Sequence, residues 1–278
     1  MSFRNLKRLF SRGRQEQSPQ PPSAAPAPES QAIRYTGAYG NWAAASKDAT
    51  GYDSALILEK TRDALLKVKR GEAAYERDSV LFDKIQHSFP VLAGLLRAAA
   101  AADLRLCVVD FGGALGSSYF QCRGFLQVLR QIEWLVVEQP AHVACGKEHF
   151  ASEQLYFHPT VEDCLAKHRP NVILLSGVLQ YVAEPYTLLA DLLRHGIGHV
   201  IIDRTAFLQS DRERLTVQQV PSAIYTASYP AWFFSETQFH AAITSAGYEL
   251  IADFSGSDDI SPEGEKAYFK GFIYALRG

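Results

Sequence analysis

No run of about 18 apolar residues occurs in this 278-residue chain, so no segment suits a membrane-spanning helix. The first residues also lack the apolar stretch of a secretory signal, which predicts a cytoplasmic protein. Cysteine is sparse. Cys107, Cys122, Cys145 and Cys164 form no C-x-x-C pair and no zinc-type spacing, so no metal site and no disulfide framework is expected. Charge of one sign is lacking as well. A formal net charge of −2 gives no global electrostatic case for a nucleic-acid partner. What is present is ordinary for a globular chain: 47% hydrophobic and 21% charged residues, enough to build a sizeable core.

Three regions follow from composition. Residues 1–34 read as a basic tail and a Pro-rich linker without fixed structure. Arg4, Lys7, Arg8, Arg12 and Arg14 crowd the start, with Phe3, Leu6, Leu9 and Phe10 near helical spacing. The alternative for residues 1–14 is a short amphipathic helix in weak contact with an anionic membrane surface. Pro19, Pro21, Pro22, Pro26 and Pro28 then mark a linker that cannot form a core. Residues 35–102 read as an N-terminal helical flank, with helices over 54–69 and 79–101. Residues 103–278 alternate strand and helix. Strands are predicted at 104–110, 134–138, 155–157, 172–176 and 199–203, followed by a helix over 235–246 and a closing pair at 248–254 and 268–276. Alternation implies a parallel sheet with helices on both faces, and the closing pair implies an antiparallel hairpin.

The densest signal is Leu106–Ser118. A buried strand ends in Asp110, a turn follows with Gly112, Gly113 and Gly116, and Ser117 and Ser118 open a helix. Glycines let backbone N–H groups approach a ligand closely. A strand-end carboxylate suits a ligand bearing an ammonium group better than a pyrophosphate. A dinucleotide site prefers G-x-G-x-x-G, whereas this chain has G-G-x-x-G. The ligand this favours is S-adenosyl-L-methionine. The bland alternative is a tight strand–helix turn with no ligand. Glu138, followed by Gln139, ends the second strand where an acid can accept both ribose hydroxyls. Asp163 is either an adenine contact or an ordinary first-turn acid of a helix. Ser176, Gly177, Gln180 and Tyr181 follow the fourth strand and should border the cofactor.

Several segments resemble one family: DFGGALGSSYFQ (Asp110–Gln121), VVEQP (Val136–Pro140), LLSGVLQYV (Leu174–Val182), IIDRTAF (Ile201–Phe207), RLTVQQVPSAIYTASYPAWFFSE (Arg214–Glu236) and YFKGF (Tyr268–Phe272). GYDS (Gly51–Ser54) and YERDSVLFD (Tyr75–Asp83) extend the likeness into the flank. They are similar to uncharacterised bacterial proteins of the class I S-adenosylmethionine-dependent methyltransferase type, some linked to surface-polysaccharide biosynthesis. Where a typical member has serine, this chain has Ala114. The resemblance implies an α/β, Rossmann-like seven-stranded sheet with a terminal antiparallel hairpin and an N-terminal helical flank. It also implies a methyltransferase acting on a small polar acceptor, with a sugar or nucleotide-linked sugar as the expected class. A nicotinamide-dependent oxidoreductase and a non-catalytic scaffold of glycan assembly are the alternatives.

On the acceptor side, Asp203 and Arg204 end the fifth strand. Arg204 can hold a phosphate or carboxylate. Asp203 is either a general base or the partner of Arg204. Asp203, Tyr181 and His158 are the candidate catalytic residues, with His240 a further base candidate. Tyr229 and Trp232 lie in an aromatic stretch, residues 225–234, read as part of a long insertion: a lid over the site or a hydrophobic plug. No N-P-P-Y-type tetrapeptide follows the fourth strand, which argues against an exocyclic amino group of a base as acceptor. Ser235 with Gln238 has the spacing of a helix cap.

Overall fold

The computed structural model describes residues 33–50, 54–221 and 227–278. The basic tail and most of the Pro-rich linker, Gly51–Asp53, and Tyr225 and Thr226 of the aromatic stretch lie outside the described residues.

Seven strands form the main sheet. They are β4 (Arg105–Phe111), β5 (Gln131–Val137), β6 (Leu155–His158), β7 (Val172–Ser176), β8 (His199–Leu208), β11 (Tyr248–Ile260) and β12 (Ala267–Leu276). Their spatial order is β6-β5-β4-β7-β8-β12-β11. β12 pairs antiparallel with both neighbours, while β6, β5, β4, β7 and β8 run parallel. The predicted α/β sheet with its terminal antiparallel hairpin is therefore present.

Strand periodicity explains the two-sided core. Consecutive residues face opposite sides of a sheet, so a strand covered on both sides must be apolar throughout. Leu106, Val108, Trp134, Val136 and Leu174 face one layer. It is made by α2 (Ser54–Lys69), α3 (Phe89–Ala100), α4 (Ser117–Leu126) and α5 (Pro140–His149). Cys107, Val109, Leu135, Ile173 and Ile202 face the other layer. It is made by α6 (Val161–Lys167), α7 (Pro185–Leu193) and α8 (Glu236–Ser245). The Ser235 cap forms as expected, its Oγ accepting from Gln238 N at 3.1 Å.

Two features depart from the sequence reading. Residues 79–101 do not form one helix. Tyr75–Arg77 (β2) and Val80–Phe82 (β3) make a hairpin, and α3 starts only at Phe89. Pro90 accounts for the late start, because proline fits the first turn of a helix but breaks its interior. The aromatic stretch is not a loop. Ala227–Phe233 is strand β10, paired antiparallel with β9 (Arg214–Val220), which pairs in turn with β1 (Arg34–Tyr39). Pro230 is tolerated because β10 is an edge strand of this second sheet. Phe233 is fully buried and packs edge-on against Tyr35 at 5.0 Å. The flank is thus not purely helical, since β1 and the β2–β3 hairpin belong to it. After β1, α1 (Trp42–Asp48) opens on the cap Asn41, whose Oδ1 accepts from Ala44 N.

Candidate functional site at the switch point of the sheet

From β4 the chain moves outward through β5 to β6, then returns to the other side of β4 for β7 and β8. The crevice between the ends of β4 and β7 is the topological switch point, where open α/β sheets bind ligands. The glycine loop leaves β4 at this place, and Ser176 and Gly177 leave β7 beside it.

Asp110 sits beneath the loop rather than open in the crevice. It is 1% exposed, and its Oδ2 accepts from Trp134 Nε1 at 2.8 Å. Burial pushes its carboxyl up to about 7, opposed by the Trp134 hydrogen bond and reinforced by the charge of Glu138. The loop packs directly on this acid. A Cβ on Gly113 would lie 2.5 Å from the Asp110 carboxylate, so only glycine fits there. Gly112, Ala114 and Gly116 have φ of 70°, 51° and 96°, and Gly116 caps α4.

Glu138 leaves β5 half-buried and turns back onto the loop. Its Oε1 accepts from Ala114 N at 3.3 Å, and its Oε2 accepts from Gln139 N at 2.8 Å. Ala114 is thus tied to Glu138 through its backbone alone. Ser117 Oγ donates to Glu76 Oε2 at 2.6 Å. Glu76 belongs to β2, is 1% exposed, and also accepts from Ser79 N at 2.7 Å. Burial raises its carboxyl above the usual range. Neither Asp110 nor Glu76 pairs with a cation among the described residues.

On the β8 side, Asp203 Oδ2 accepts from Ser176 Oγ at 3.0 Å, and burial raises this carboxyl too. Arg204 donates from Nη1 to Asp78 Oδ2 at 3.1 Å, while its Nε stands 3.9 Å from Asp203. Desolvation alone would lower the Arg204 guanidinium, but Asp78 and Asp203 hold it above the usual range. The short helical turn Leu179–Tyr181 places Gln180 Nε2 on the Arg204 carbonyl at 3.1 Å. Tyr181 donates to Gln218 Oε1 at 2.8 Å, and Gln218 Nε2 donates to Tyr229 at 3.3 Å. The second sheet therefore forms the wall of the crevice next to Tyr181.

The structure does not bring all predicted residues together. His158 ends β6, four strands from β8, roughly 19 Å away at about 4.8 Å per strand. It is buried against His168, and burial lowers its imidazole below the usual range. His158→Ala is accordingly expected to leave S-adenosylhomocysteine affinity within about twofold of wild type, measured by calorimetry. His240 lies on α8 and bonds the Tyr274 hydroxyl. Asp163 sits at the third position of α6, its N–H donating to the Thr160 cap at 3.1 Å. Trp232 and Tyr229 are three residues apart on one strand and so point to opposite faces. Tyr229 reaches Tyr181, with ring centroids 5.4 Å apart. Trp232 instead lines a separate recess of about 470 Å³ with Tyr39, Arg214 and Glu265.

Sequence reasoning missed Glu76, Asp78, Trp134 and Gln218. A signal for the first two existed: Tyr75-Glu76-Arg77 and Val80-Leu81-Phe82 flank a two-residue Asp-Ser turn, which is hairpin spacing.

No family model and no curated protein matches the chain. Among solved structures, the N-terminal domain of EvdMO1, crystallised with S-adenosylhomocysteine and D-fucose, is 16% identical. It aligns over 78% of this chain and 97% of its own with a TM-score of 0.46. The glycopeptide N-methyltransferase MtfA with S-adenosyl-L-methionine is 12% identical over 66% of this chain and 86% of its own, with a TM-score of 0.45. Human N-acetylserotonin methyltransferase with the same cofactor is 17% identical over 67% and 52%, with a TM-score of 0.42. Likeness at this level carries no argument about the reaction. The fold is fixed by the strand order itself, a seven-stranded α/β sheet in which β12 alone runs against the rest.

Proposed function

We propose that the chain is an S-adenosylmethionine-dependent methyltransferase acting on a small polar acceptor, with O-methylation of a sugar or surface-glycan precursor as the reaction. The observation that carries this reading is the set of acids at the switch point. Asp110 and Glu76 are buried on either side of the glycine loop, neither hydrogen-bonded to a cation among the described residues and each offset only by the more distant charge of Arg204, and Glu138 follows the next strand. Buried carboxylates with no cation in direct contact are costly and favour a cationic ligand. A pyrophosphate would be repelled here. A ligand with an ammonium, a sulfonium and a ribose fits.

In this reading Glu138 takes the ribose hydroxyls, exchanging its hydrogen bond with Ala114 for them. Gly112, Gly113, Gly116 and Ser117 present the loop backbone, and Asp110 supplies negative potential from beneath it. Gln139, Ser176 and Gln180 complete the cofactor site. When bound, the cofactor supplies an activated methyl group. Asp203 is the general base. A carboxyl raised by burial, with Ser176 fixing one oxygen, is suited to accepting a hydroxyl proton. Tyr181, anchored by Gln218, orients the acceptor, and Arg204 and Tyr229 bind it. Trp232 has no part in this site.

Calorimetric titration of the full chain tests the assignment. S-Adenosylhomocysteine is expected to bind at micromolar concentrations and NAD not at all. Binding of NAD with silence toward S-adenosylhomocysteine would falsify it.

A further inference from the structure

The hairpin β2–β3 carries a carboxylate into the acceptor side of the crevice. Its two-residue turn is left-handed at both non-glycine positions, Asp78 (φ 52°) and Ser79 (φ 67°). Glu76 fixes the hairpin at its root through Ser117 and Ser79. Tyr75 adds a second anchor, accepting from Gln121 Nε2 at 3.1 Å. The tip then presents the Asp78 carboxylate to Arg204, although Asp78 itself is 71% exposed.

Arg204 is held with unusual care. Its backbone is left-handed at φ 51°, and Gln180 locks its carbonyl. Its guanidinium lies over Gly177, where a Cβ would meet Nη2 at 3.0 Å and φ is 65°. Strained backbone of this kind persists only where the surrounding structure holds it. The pair it makes with Asp78 does not explain the strain, because an exposed single-contact ion pair contributes little. Asp78 occupies one arm of the guanidinium, and Asp203 stands beyond hydrogen-bonding distance of Nε. A planar donor fork held by one exposed carboxylate fits a carboxylate or phosphate.

We propose that Asp78 is a built-in occupant of the seat that Arg204 offers to the acceptor's carboxylate or phosphate, so that an anionic acceptor displaces Asp78 and loosens the hairpin. This narrows the acceptor class to sugar acids or sugar phosphates, and its link to methyl transfer rests on the function proposed above.

The experiment titrates the full chain with D-glucuronate, D-glucose 6-phosphate and D-glucose. Wild type, Asp78→Ala and Arg204→Met are compared by calorimetry. Asp78→Ala should bind at least one anion about 3- to 5-fold tighter, the gain expected when a weak internal competitor is removed. D-Glucose should show no gain, and Arg204→Met should lose anion binding. In wild type, the bound anion should also speed amide exchange across residues 75–82. A preference for glucuronate or for the phosphate supports the seat and names the group. Unchanged or weaker anion affinity in Asp78→Ala, an equal gain for D-glucose, or no anion binding in any variant overturns it. Titration with S-adenosylhomocysteine on the same samples keeps the two ideas apart. Silence there defeats the methyltransferase reading, whereas failure of the anion arm alone defeats only the seat.

Discussion

Glu138→Ala is expected to weaken S-adenosylhomocysteine binding at least 100-fold while the fold survives. The carboxylate follows β5 at the crevice, half-buried, with both oxygens already accepting hydrogen bonds from backbone N–H groups. Two charge-assisted hydrogen bonds to a ribose, each worth about 1.5–3 kcal/mol, account for a loss of that size. Stability should change little, because the backbone amides that Glu138 bonds in the free protein are partly exposed and water can solvate them in its place. Glu138→Gln separates charge from shape. It keeps an acceptor for one hydroxyl and should recover part of the affinity. Calorimetry gives the affinities, and thermal melting of the free protein gives the stability. Unchanged affinity in Glu138→Ala would remove the ribose role from this residue.

Asp110→Asn is expected to do two opposite things: stabilise the free protein above neutral pH and abolish cofactor binding. The native carboxyl is raised to about 7 by burial, from a usual 3.8. A raised acid binds its proton more tightly in the folded state, so ionisation costs stability. That cost is absent below pH 4, grows as pH rises toward 7, and is complete above it. The gap, at about 1.4 kcal/mol per pH unit, sets a ceiling of about 4 kcal/mol. Asparagine removes the charge and still accepts from Trp134 Nε1. The variant should therefore melt about 5 °C or more above wild type at pH 8 and together with it at pH 4. Loss of the buried negative charge should at the same time remove affinity for a cationic ligand. Equal melting temperatures at pH 8 would show that Asp110 is not held against ionisation. Retained S-adenosylhomocysteine affinity would show that its charge is not used.

These two residues were legible in the sequence for a simple reason. A buried strand covered on both faces is apolar throughout, so an acid at its end stands out, and glycine next to it marks a turn. The same logic located β7 to the residue and placed β6 and β12 within one residue at each end. It did not show that Asp110 lies under the loop. That depends on Trp134, a core side chain 24 residues away that donates a buried hydrogen bond to the acid. Nor did it separate Tyr229 from Trp232, because strand β10, broken in pattern by Pro230, read as a loop.

Local pattern determined the alternation of strands and helices, the glycine loop, and the acids Asp110 and Glu138 where strands give way to turns. Each of these is a property of a few consecutive residues whose periodicity or backbone demand is visible without the rest of the chain. Asp203 and Arg204, expected to end the fifth strand, lie instead inside β8, which runs on to Leu208 against β12. Tertiary structure decided the others. Asp78 meets Arg204 across 126 residues of sequence, and β1 pairs with β9 across a still longer span. It also moved His158 four strands from Asp203, though both stand at the C-terminal side of predicted strands. Which strand neighbours which, and which hairpin settles over which loop, depends on long-range pairing and burial. Neither leaves a periodic trace in the segments that take part.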